Sequence, residues 1–351
     1  MPVKRNWNEI PQVKGKPDFA NLLKVLRRER PARPTLFEFF LNKPLYDRLI
    51  GKALDGIGEA DRQRLFNLYA FRAAGYDYAT FHMPGYAFEA AEAPHLSTRS
   101  LNDGAVISDR RSFRAYKWPD PEGVDYAILD RVRKDLPAGM KVVTCGPGGV
   151  LENAIRLVGY DRLCYMIADD PGLARDVFDA IGERELAFYA HCVKYEAVGA
   201  IIGNDDWGFK SQTMLSPDDM RRYVFPWHEK IVATAHAAGK PAILHSCGNL
   251  SEVMEDVIRD MKYDGKHSYE DTIQPVEDAY EQYGGRIAIM GGIDVDFVIR
   301  SPPEAVYERS KAMLERAANR GGFALGTGNS VPEYVPDAQY FAMTRAALDP
   351  R

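Results

Sequence analysis

The chain has 351 residues, of which 46% are hydrophobic and 27% are charged, and its formal net charge is -5 at pH 7. This composition is typical of a globular protein, and the acidic balance argues against nucleic acid or an anionic membrane surface as a partner. Four scattered cysteines without a CxxC pair argue against a disulfide scaffold and favour a reducing cytoplasm. The N-terminal residues lack the apolar core of a signal peptide, so we expect a cytoplasmic protein without a membrane segment.

Short apolar segments alternate with helical patterns along the whole chain. The candidate strands cover residues 34–40, 76–81, 140–145, 199–205, 241–247, 263–269, 286–294 and 321–329. Amphipathic helical patterns between them include 61–75, 216–239 and 301–322. Eight such alternations predict an α/β protein in which residues 1–351 form a single (β/α)₈ TIM barrel, with an N-terminal extension at 1–30. A doubly wound open sheet is the alternative, but no GxGxxG follows the first strand.

The second candidate strand is followed by an unusually long connection, residues 82–123. It contains glycine and proline and carries a set of basic side chains. These are Arg99, Arg110, Arg111, Arg114 and Lys117. Connections of this length are typical of lids and binding segments, so we predict an insertion that covers the barrel mouth. Its basic side chains would either hold an anionic substrate or simply be solvated.

The carboxyl ends of the strands are where a TIM barrel places its active site. Nearly every candidate strand of this chain finishes on a side chain that is able to bind metal or move a proton. These are Glu38, His82, Cys145, Asp205 with Asp206, His245 with Cys247, His267 with Glu270, Asp294, and Thr327 with Asn329. So many reactive side chains around one rim predict an enzyme.

His245 and Cys247 stand two positions apart at the end of the fifth candidate strand, in the motif PAILHSCGN. Because alternate strand residues point to the same side, the imidazole and the sulfur should face one space. Zn²⁺ accepts nitrogen and sulfur ligands, and a catalytic zinc site keeps one position open. We predict a zinc site with His267 as the third ligand, or Glu270 in its place. The alternative is a buried thiol beside a hydrogen-bonded histidine.

Three acidic residues are the candidates for catalysis. Asp205 and Asp206 follow an apolar strand, so one should point into the barrel mouth and the other towards the helix layer. The inward carboxylate would bind metal, orient a ligating histidine or act as a base, whereas its neighbour would cap a turn. Glu38 lies inside the aromatic run LFEFF, where an unpaired carboxylate is costly to bury. We therefore predict a catalytic role for Glu38 as well.

Four further strand-end residues are predicted to bind substrate. They are His82, Asp294, Thr327 and Asn329. The last two belong to the GTGNS turn, whose side chains and backbone amides suit a small ligand. The alternatives are that Asp294 only caps a helix near residue 297, and that GTGNS is a plain glycine turn.

Taken together, the motifs resemble the uroporphyrinogen decarboxylase superfamily. The resemblance rests on DDWG after strand four, HSCGN after strand five, MGGID at strand seven and GTGN at strand eight, and it extends over nearly the whole chain, residues 20–348. It implies a (β/α)₈ barrel with one of two chemistries. Some members decarboxylate the acetate arms of uroporphyrinogen without a metal, and others are corrinoid-dependent methyltransferases that use zinc.

The chain departs from both branches of that superfamily. Where the decarboxylases carry an arginine-rich RQAGR segment, residues 36–48 read LFEFFLNKPLYDR, which lacks the cations that an octacarboxylate needs. The coenzyme M methyltransferases have the histidine and cysteine found here at 245 and 247. Their second cysteine lies in a GCG turn at the last strand, and the turn here is Gly326-Thr327-Gly328. The missing sulfur favours an oxygen or imidazole ligand.

The resemblance therefore predicts a zinc-dependent methyltransferase that works with a separate corrinoid protein. Its cofactors would be Zn²⁺ and a corrinoid carried by that partner, its substrate would be a small molecule, and a homodimer is compatible with the sequence. One alternative is a metal-independent decarboxylase of a porphyrinogen or a smaller carboxylic acid. Another is a corrinoid carrier without turnover.

Overall fold

The structure is a computed structural model that describes residues 5–91 and 100–349. Its centre is a parallel sheet of seven strands whose order in space follows their order in the chain. The strands are β1 (Tyr78–His82), β2 (Lys141–Cys145), β3 (Val198–Asn204), β4 (Ala242–His245), β5 (Gly265–His267), β6 (Ala288–Met290) and β7 (Phe323–Ala324). The prediction of an α/β protein is confirmed, and the curled sheet resembles that of a TIM barrel.

The prediction of eight strands is wrong for the first one. Residues 34–40 contribute one parallel bridge, between Leu36 and Leu325, beside β7. On the β1 side, the Tyr78 hydroxyl accepts a hydrogen bond from the Glu38 N–H at 2.8 Å and donates one to the Glu38 carbonyl at 2.5 Å. These bonds satisfy the backbone groups that a ladder with β1 would otherwise pair, so no regular strand forms.

Helices fill the connections between the strands. The α-helices are α1 (Ala20–Leu26), α2 (Lys43–Ile50), α3 (Glu59–Ala73), α4 (Arg110–Ala115), α5 (Ile128–Asp135), α6 (Val150–Val158), α7 (Tyr160–Asp169), α8 (Pro171–Cys192), α9 (Pro217–Asp219), α10 (Phe225–Ala237), α11 (Val276–Tyr283), α12 (Val295–Arg300), α13 (Pro303–Ala317) and α14 (Asp337–Leu348). A 3₁₀ helix covers Pro121–Gly123, and π-helical turns cover Met220–Val224 and Asp256–Asp260. Among the described helices, none has the length and apolarity needed to span a bilayer.

The middle of the sheet is apolar on both of its faces. Val142 and Val143 on β2, and Ile201 and Ile202 on β3, are completely buried although neighbours point in opposite directions. Such continuous apolar runs are typical of a parallel sheet that is covered on both sides. Each buried isoleucine stabilises the fold by about 1.5–3 kcal/mol. The sheet is thus a firm frame, and its polar side chains concentrate at the carboxyl ends of the strands.

The long connection after β1, residues 82–123, packs partly on the helix layer. Arg110 forms ion pairs with Asp170 at 2.8 Å and with Asp176 at 2.9 Å, at the start of α8. Its charge is therefore already balanced by the protein. Arg99, the first basic residue of the predicted set, lies outside the described residues. The role of this connection as a lid stays a prediction.

Candidate metal centre and its surroundings

Three donor side chains converge beyond the carboxyl ends of β3 and β4. A carboxylate oxygen of Asp206, an imidazole nitrogen of His245 and the sulfur of Cys247 all lie within 4.8 Å of one another. His245 Nε2 is 3.9 Å from Asp206 Oδ1 and 3.9 Å from the Cys247 sulfur. We call these residues the donor triad. Across residues 5–91 and 100–349, it is the single group of three His, Cys, Asp or Glu side chains that close together.

The donor triad fits a tetrahedral zinc ion. Zinc bonds of about 2.0–2.3 Å place neighbouring ligand atoms ~3.4–3.6 Å apart. The 3.9 Å separations around His245 Nε2 are wider by only a few tenths of an ångström, which small side-chain rotations close. Nitrogen, sulfur and oxygen are all zinc ligands, and three protein ligands leave the fourth position for a substrate, as in catalytic zinc sites.

Backbone hydrogen bonds hold the two loops that carry the donor triad. The Cys247 N–H donates to Asp206 Oδ1 at 2.9 Å, and the Asp205 N–H donates to the His245 carbonyl at 3.0 Å. On the other side, the Ser246 N–H donates to the His267 carbonyl of β5 at 3.0 Å. The donor atoms are therefore positioned by the sheet rather than by mobile side chains alone, which is what a preorganised metal site requires.

The protonation of His245 follows from two hydrogen bonds behind it. His267 Nε2 donates to the Thr327 carbonyl at 3.2 Å, so His267 Nδ1 carries a lone pair. His245 Nδ1 lies 2.7 Å from that atom and must donate to it, which leaves His245 Nε2 unprotonated towards Asp206 and Cys247. Burial lowers the pKa of both histidines, that of His267 to about 3, so both rings are neutral. A neutral imidazole with a free Nε2 is a metal ligand.

His267 thus orients His245 and is not itself part of the donor triad, contrary to its predicted role as a ligand. We expect His267→Phe to weaken zinc binding by about 10–100-fold, because it removes the acceptor for His245 Nδ1. His267→Gln should retain most of the affinity, since its amide can accept from His245 and donate to Thr327. Zinc competition with a chromophoric chelator measures both variants. Equal affinities for wild type and the Phe variant would contradict this role.

The sulfur of Cys247 has a hydrogen-bond donor of its own. Asn329 Nδ2 lies 3.2 Å from it, while Asn329 Oδ1 accepts from the Ser330 N–H at 2.7 Å. Burial, with a smaller contribution from the charge of Asp206, raises the pKa of Cys247 to about 12, so the free protein holds a thiol at neutral pH. A coordinated cation would remove that proton, and the Asn329 amide would then stabilise the thiolate. Asn329, predicted to bind substrate, therefore contacts an atom of the donor triad.

The two neighbouring aspartates have different surroundings. The carboxylate of Asp205 is completely buried and accepts from the N–H groups of Leu151 at 3.0 Å and Glu152 at 2.8 Å, at the start of α6. It also lies 2.9 Å from His228 Nε2. Asp205 therefore caps a helix and pairs with a buried histidine, whereas Asp206 belongs to the donor triad. Of the two predicted catalytic aspartates, only Asp206 is beside the candidate metal position.

Glu38 supports the last turn of the sheet rather than the donor triad. Its buried carboxyl group lies 2.7 Å from both the N–H and the hydroxyl of Thr327. Burial raises the pKa of Glu38 to about 8, which favours its protonated form at neutral pH. The Thr327 hydroxyl lies within hydrogen-bond distance of both Glu38 Oε2 and the Asn329 carbonyl, and it donates its one hydrogen to one of them at a time. The backbone N–H and the hydroxyl of Thr327 are thus both hydrogen-bonded within the protein.

We expect Glu38 to make stability depend on pH. Its folded-state pKa of about 8 lies above the ordinary 4.5, so its contribution is complete below about pH 4.5 and is lost as the pH rises through about 8. Glu38→Gln keeps the acceptor for the Thr327 N–H and a donor for its hydroxyl but does not ionise. Between about pH 5 and 8, the wild type should lose a few kcal/mol of unfolding free energy relative to this variant. Urea titrations that give parallel pH curves would contradict the prediction.

Three other predicted residues lie apart from the donor triad. Asp294 caps α12, accepting from the Phe297 N–H at 2.8 Å, as the alternative interpretation held. His82 is exposed at the end of β1, with its Nδ1 3.7 Å from the Cys145 sulfur. Glu270 lines a different cavity. The prediction that these residues follow the carboxyl ends of strands is correct, but in the structure they lie apart from the candidate metal position.

A cavity of about 420 Å³ opens beside the donor triad. Asp206 contributes to its wall, together with Asn204 from the end of β3 and Glu152 from α6. Ala91 and Leu101, from the connection after β1, line it as well. The cavity is large enough for a small organic substrate, and it places that substrate against one of the candidate metal ligands.

Glu152 is the acid of this cavity that the sequence analysis missed. Its carboxyl group accepts hydrogen bonds from the Asn204 amide and the Gly149 N–H, both at 3.2 Å. Burial raises its pKa to about 8, and the charges of Asp205 and Asp206 add to the effect. Glu152 is therefore protonated at neutral pH beside Asp206. In the sequence, an acid three residues after Gly149 indicates a helix cap, and Glu152 does cap α6. Nothing further in the sequence indicated that Glu152 also lines the cavity.

The chain is similar to proteins of one known family. Residues 97–349 match the profile of a family described as "Uroporphyrinogen decarboxylase (URO-D)". Curated relatives with the name uroporphyrinogen decarboxylase include one from Anaeromyxobacter sp., 24% identical over 237 residues and covering 66% of this chain and 65% of the relative. Another, from Streptomyces avermitilis, is 29% identical over 177 residues, or 48% of this chain and 45% of the relative. The chain thus spans less than two thirds of the length of these relatives.

One solved structure matches almost the whole chain. It is described as a methyltransferase from Methanosarcina mazei, and it aligns with a TM-score of 0.67 over 93% of this chain and 97% of that chain. The two sequences are 16% identical, so the likeness is one of fold. It agrees with the TIM-barrel-like sheet described above.

Proposed function

The chain belongs to the uroporphyrinogen decarboxylase family, and on that premise we propose that it is a zinc-dependent methyltransferase that works with a separate corrinoid protein. The observation that carries the proposal is the donor triad, Asp206, His245 and Cys247, beside a substrate-sized cavity. The unprotonated His245 Nε2 and the hydrogen bond from Asn329 to the Cys247 sulfur both suit metal binding. A fold shared with a methyltransferase adds support.

Bound zinc would supply Lewis-acid chemistry, either by holding a thiol acceptor as thiolate or by polarising the heteroatom of a methyl donor. We favour the second role, because the last-strand turn contributes Asn329 rather than a second sulfur. A corrinoid on the partner would supply the Co(I) nucleophile that accepts the methyl group without its bonding electrons. The electron pair of the broken bond would stay on the heteroatom of the donor, which would then need a proton.

Glu152 is placed to supply that proton. It is protonated at neutral pH, it lines the cavity together with Asp206, and its carboxyl group is held by Asn204 and Gly149. An acid whose pKa lies near the working pH is suited to proton transfer. After transfer, the Glu152 carboxylate takes a proton from solvent as the product leaves. In this proposal the described part of the connection after β1, which contributes Ala91 and Leu101 to the wall of the same cavity, contacts the bound donor.

The proposal is tested by following methylation of a corrinoid. Zinc-loaded protein is mixed with cob(I)alamin and a panel of methanol, methylamines and methoxylated aromatic acids, and methylcobalamin is detected by its absorbance. We expect methylcobalamin to form with at least one donor and chelator-treated protein to form none. The other role, activation of a thiol acceptor, is tested by mixing the zinc-loaded protein with methylcobalamin and a panel of thiols. No transfer in either direction with zinc-loaded protein would contradict the proposed function.

A second candidate is decarboxylation of a porphyrinogen or a smaller acid without metal, which the names of the curated relatives favour. An octacarboxylate substrate needs several cations in its pocket. Lys43 and Arg48, the cations of the segment that would supply them, are instead paired with Asp47 and Asp337. In the 420 Å³ cavity, Arg156 is the basic residue among the described lining residues. Consumption of uroporphyrinogen by metal-free protein would nevertheless establish this function in place of the first.

A further inference from the structure

A second cavity, of about 200 Å³, adjoins the segment that follows Cys247. Its walls come from Gly248 and Asn249, from the residues that follow β5, and from Gln282 near the end of α11. The described residues that line it include none of those that line the 420 Å³ cavity. At ~30 Å³ for each water, its volume corresponds to roughly seven water-sized groups. It is therefore a separate small site and not an extension of the first cavity.

The base of this cavity holds a buried ammonium group. Lys266 is 4% exposed, and its Nζ donates to the Ser268 carbonyl and lies 4.1 Å from the centre of the Tyr269 ring. Among the described residues Lys266 makes no ion pair, and burial lowers its pKa to about 8, although the charges of Asp206 and Glu270 favour its ammonium form. An ammonium group has three N–H donors, and one of those of Lys266 goes to the Ser268 carbonyl. Because burial disfavours the charge of Lys266, an incoming anion that pairs with it is stabilising.

An acidic side chain faces the same cavity. Glu270 is half-buried, and its carboxylate has no side-chain hydrogen bond in the described residues. The ring of Tyr269 lines the wall beside Lys266. The described lining residues thus include one cation, Lys266, and one acid, Glu270. This pair of opposite charges complements a ligand that carries one charge of each sign.

We propose that this cavity binds a small zwitterion of the amino-acid class, with its carboxylate on Lys266 and its ammonium group on Glu270. The charge separation and the volume suit a molecule between glycine and γ-aminobutyrate in size. Binding of this molecule does not depend on a metal. The proposal therefore stands or falls independently of the proposed methyl transfer.

Calorimetric titration of the full chain, freed of metal with a chelator, tests this proposal. The probe is γ-aminobutyrate, and the controls are butyrate and n-butylamine, which each lack one charge. We expect γ-aminobutyrate to bind with a dissociation constant of about 1 mM or tighter and each control to bind at least about tenfold more weakly. No binding of the probe by the wild type at ~10 mM would overturn the proposal.

Two variants separate the roles of the charges. Lys266→Met keeps the side-chain length and should lower the affinity for γ-aminobutyrate at least about tenfold. Glu270→Gln should lower the affinity for γ-aminobutyrate to that for butyrate, and should leave the affinity for butyrate unchanged. Cys164→Ser, on α7 and outside this cavity, should leave probe binding unchanged. Replacing a buried charge by methionine is not expected to unfold the chain, and Glu270 is half-exposed. Wild-type affinity in both charge variants would overturn the assignment of the site.

Discussion

Replacing His245 with Ala together with Cys247 with Ser should lower the rate of methyl transfer by at least about a thousandfold. A Lewis acid stabilises developing charge by several kcal/mol, and ~4 kcal/mol corresponds to ~10³ in rate. The variant keeps Asp206 alone of the donor triad, which cannot hold zinc at the cavity. Methylcobalamin formation under saturating donor measures the effect. The two side chains lie beyond the end of β4 and the fold should persist, as circular dichroism can check.

Cys164→Ser is the matched control, because Cys164 is a half-buried thiol on α7 outside the donor triad. It should retain wild-type transfer and wild-type zinc content. If the double variant kept transfer within tenfold of the wild type, zinc on His245 and Cys247 would not be the catalyst. The proposed function would then fall, even if the fold and the family membership stand.

Glu152→Gln should lower the rate of methyl transfer by about 10²–10⁴-fold, the usual contribution of a positioned general acid. The variant keeps the volume of the side chain and the acceptor for the Gly149 N–H, so the cavity wall is preserved. Zinc content should be unchanged, because Glu152 is not one of the donor triad. A stopped-flow record of methylcobalamin formation separates this chemical step from product release.

The pH dependence of the same variant gives an independent check. Glu152 can donate only while it is protonated, so the wild-type rate should fall as the pH rises through about 8. Glutamine does not titrate, so the low rate of Glu152→Gln should be flat across the same range. A wild-type rate that keeps rising above pH 8, or a variant that keeps the alkaline fall, would assign the proton to another group.

The alternation of apolar segments and helical patterns predicted the α/β fold. The prediction failed at residues 34–40, where a side-chain hydroxyl takes the place of a backbone hydrogen-bond partner. The seven strands of the sheet lie within or beside the candidate segments, because apolar runs of that length have to be buried on both faces. Residues 34–40 have the same apolar character, but the Tyr78 hydroxyl takes the hydrogen bonds of Glu38. That contact joins residues forty positions apart, so no local pattern could have indicated it.

The sequence predicted two residues of the donor triad. His245 and Cys247 do lie close together, but β4 ends at His245, so strand alternation alone does not place Cys247. The hydrogen bond from its N–H to Asp206 holds it there. His267 was predicted as a ligand because it lies at the end of the next strand, but it pairs in register with His245. Side chains in register on adjacent strands touch each other, so the two rings form a hydrogen bond and do not converge on a third point.

The choice between Asp205 and Asp206 could not be made from the sequence. β3 ends at Asn204, so the alternation of a strand no longer fixes where the next two side chains point. The capping of α6 by Asp205 decides the matter, and that helix begins about fifty residues earlier in the chain. With Asp205 turned towards α6, Asp206 is the carboxylate that reaches His245 and Cys247.

The most direct test of the central claim is the zinc content of tag-free protein, measured by plasma mass spectrometry. We expect about one zinc per chain in the native protein, and none in the variant that lacks His245 and Cys247. Native protein that holds no zinc, even when zinc is supplied throughout purification, would contradict the Lewis-acid mechanism. Metal-free decarboxylation would then become the function to test.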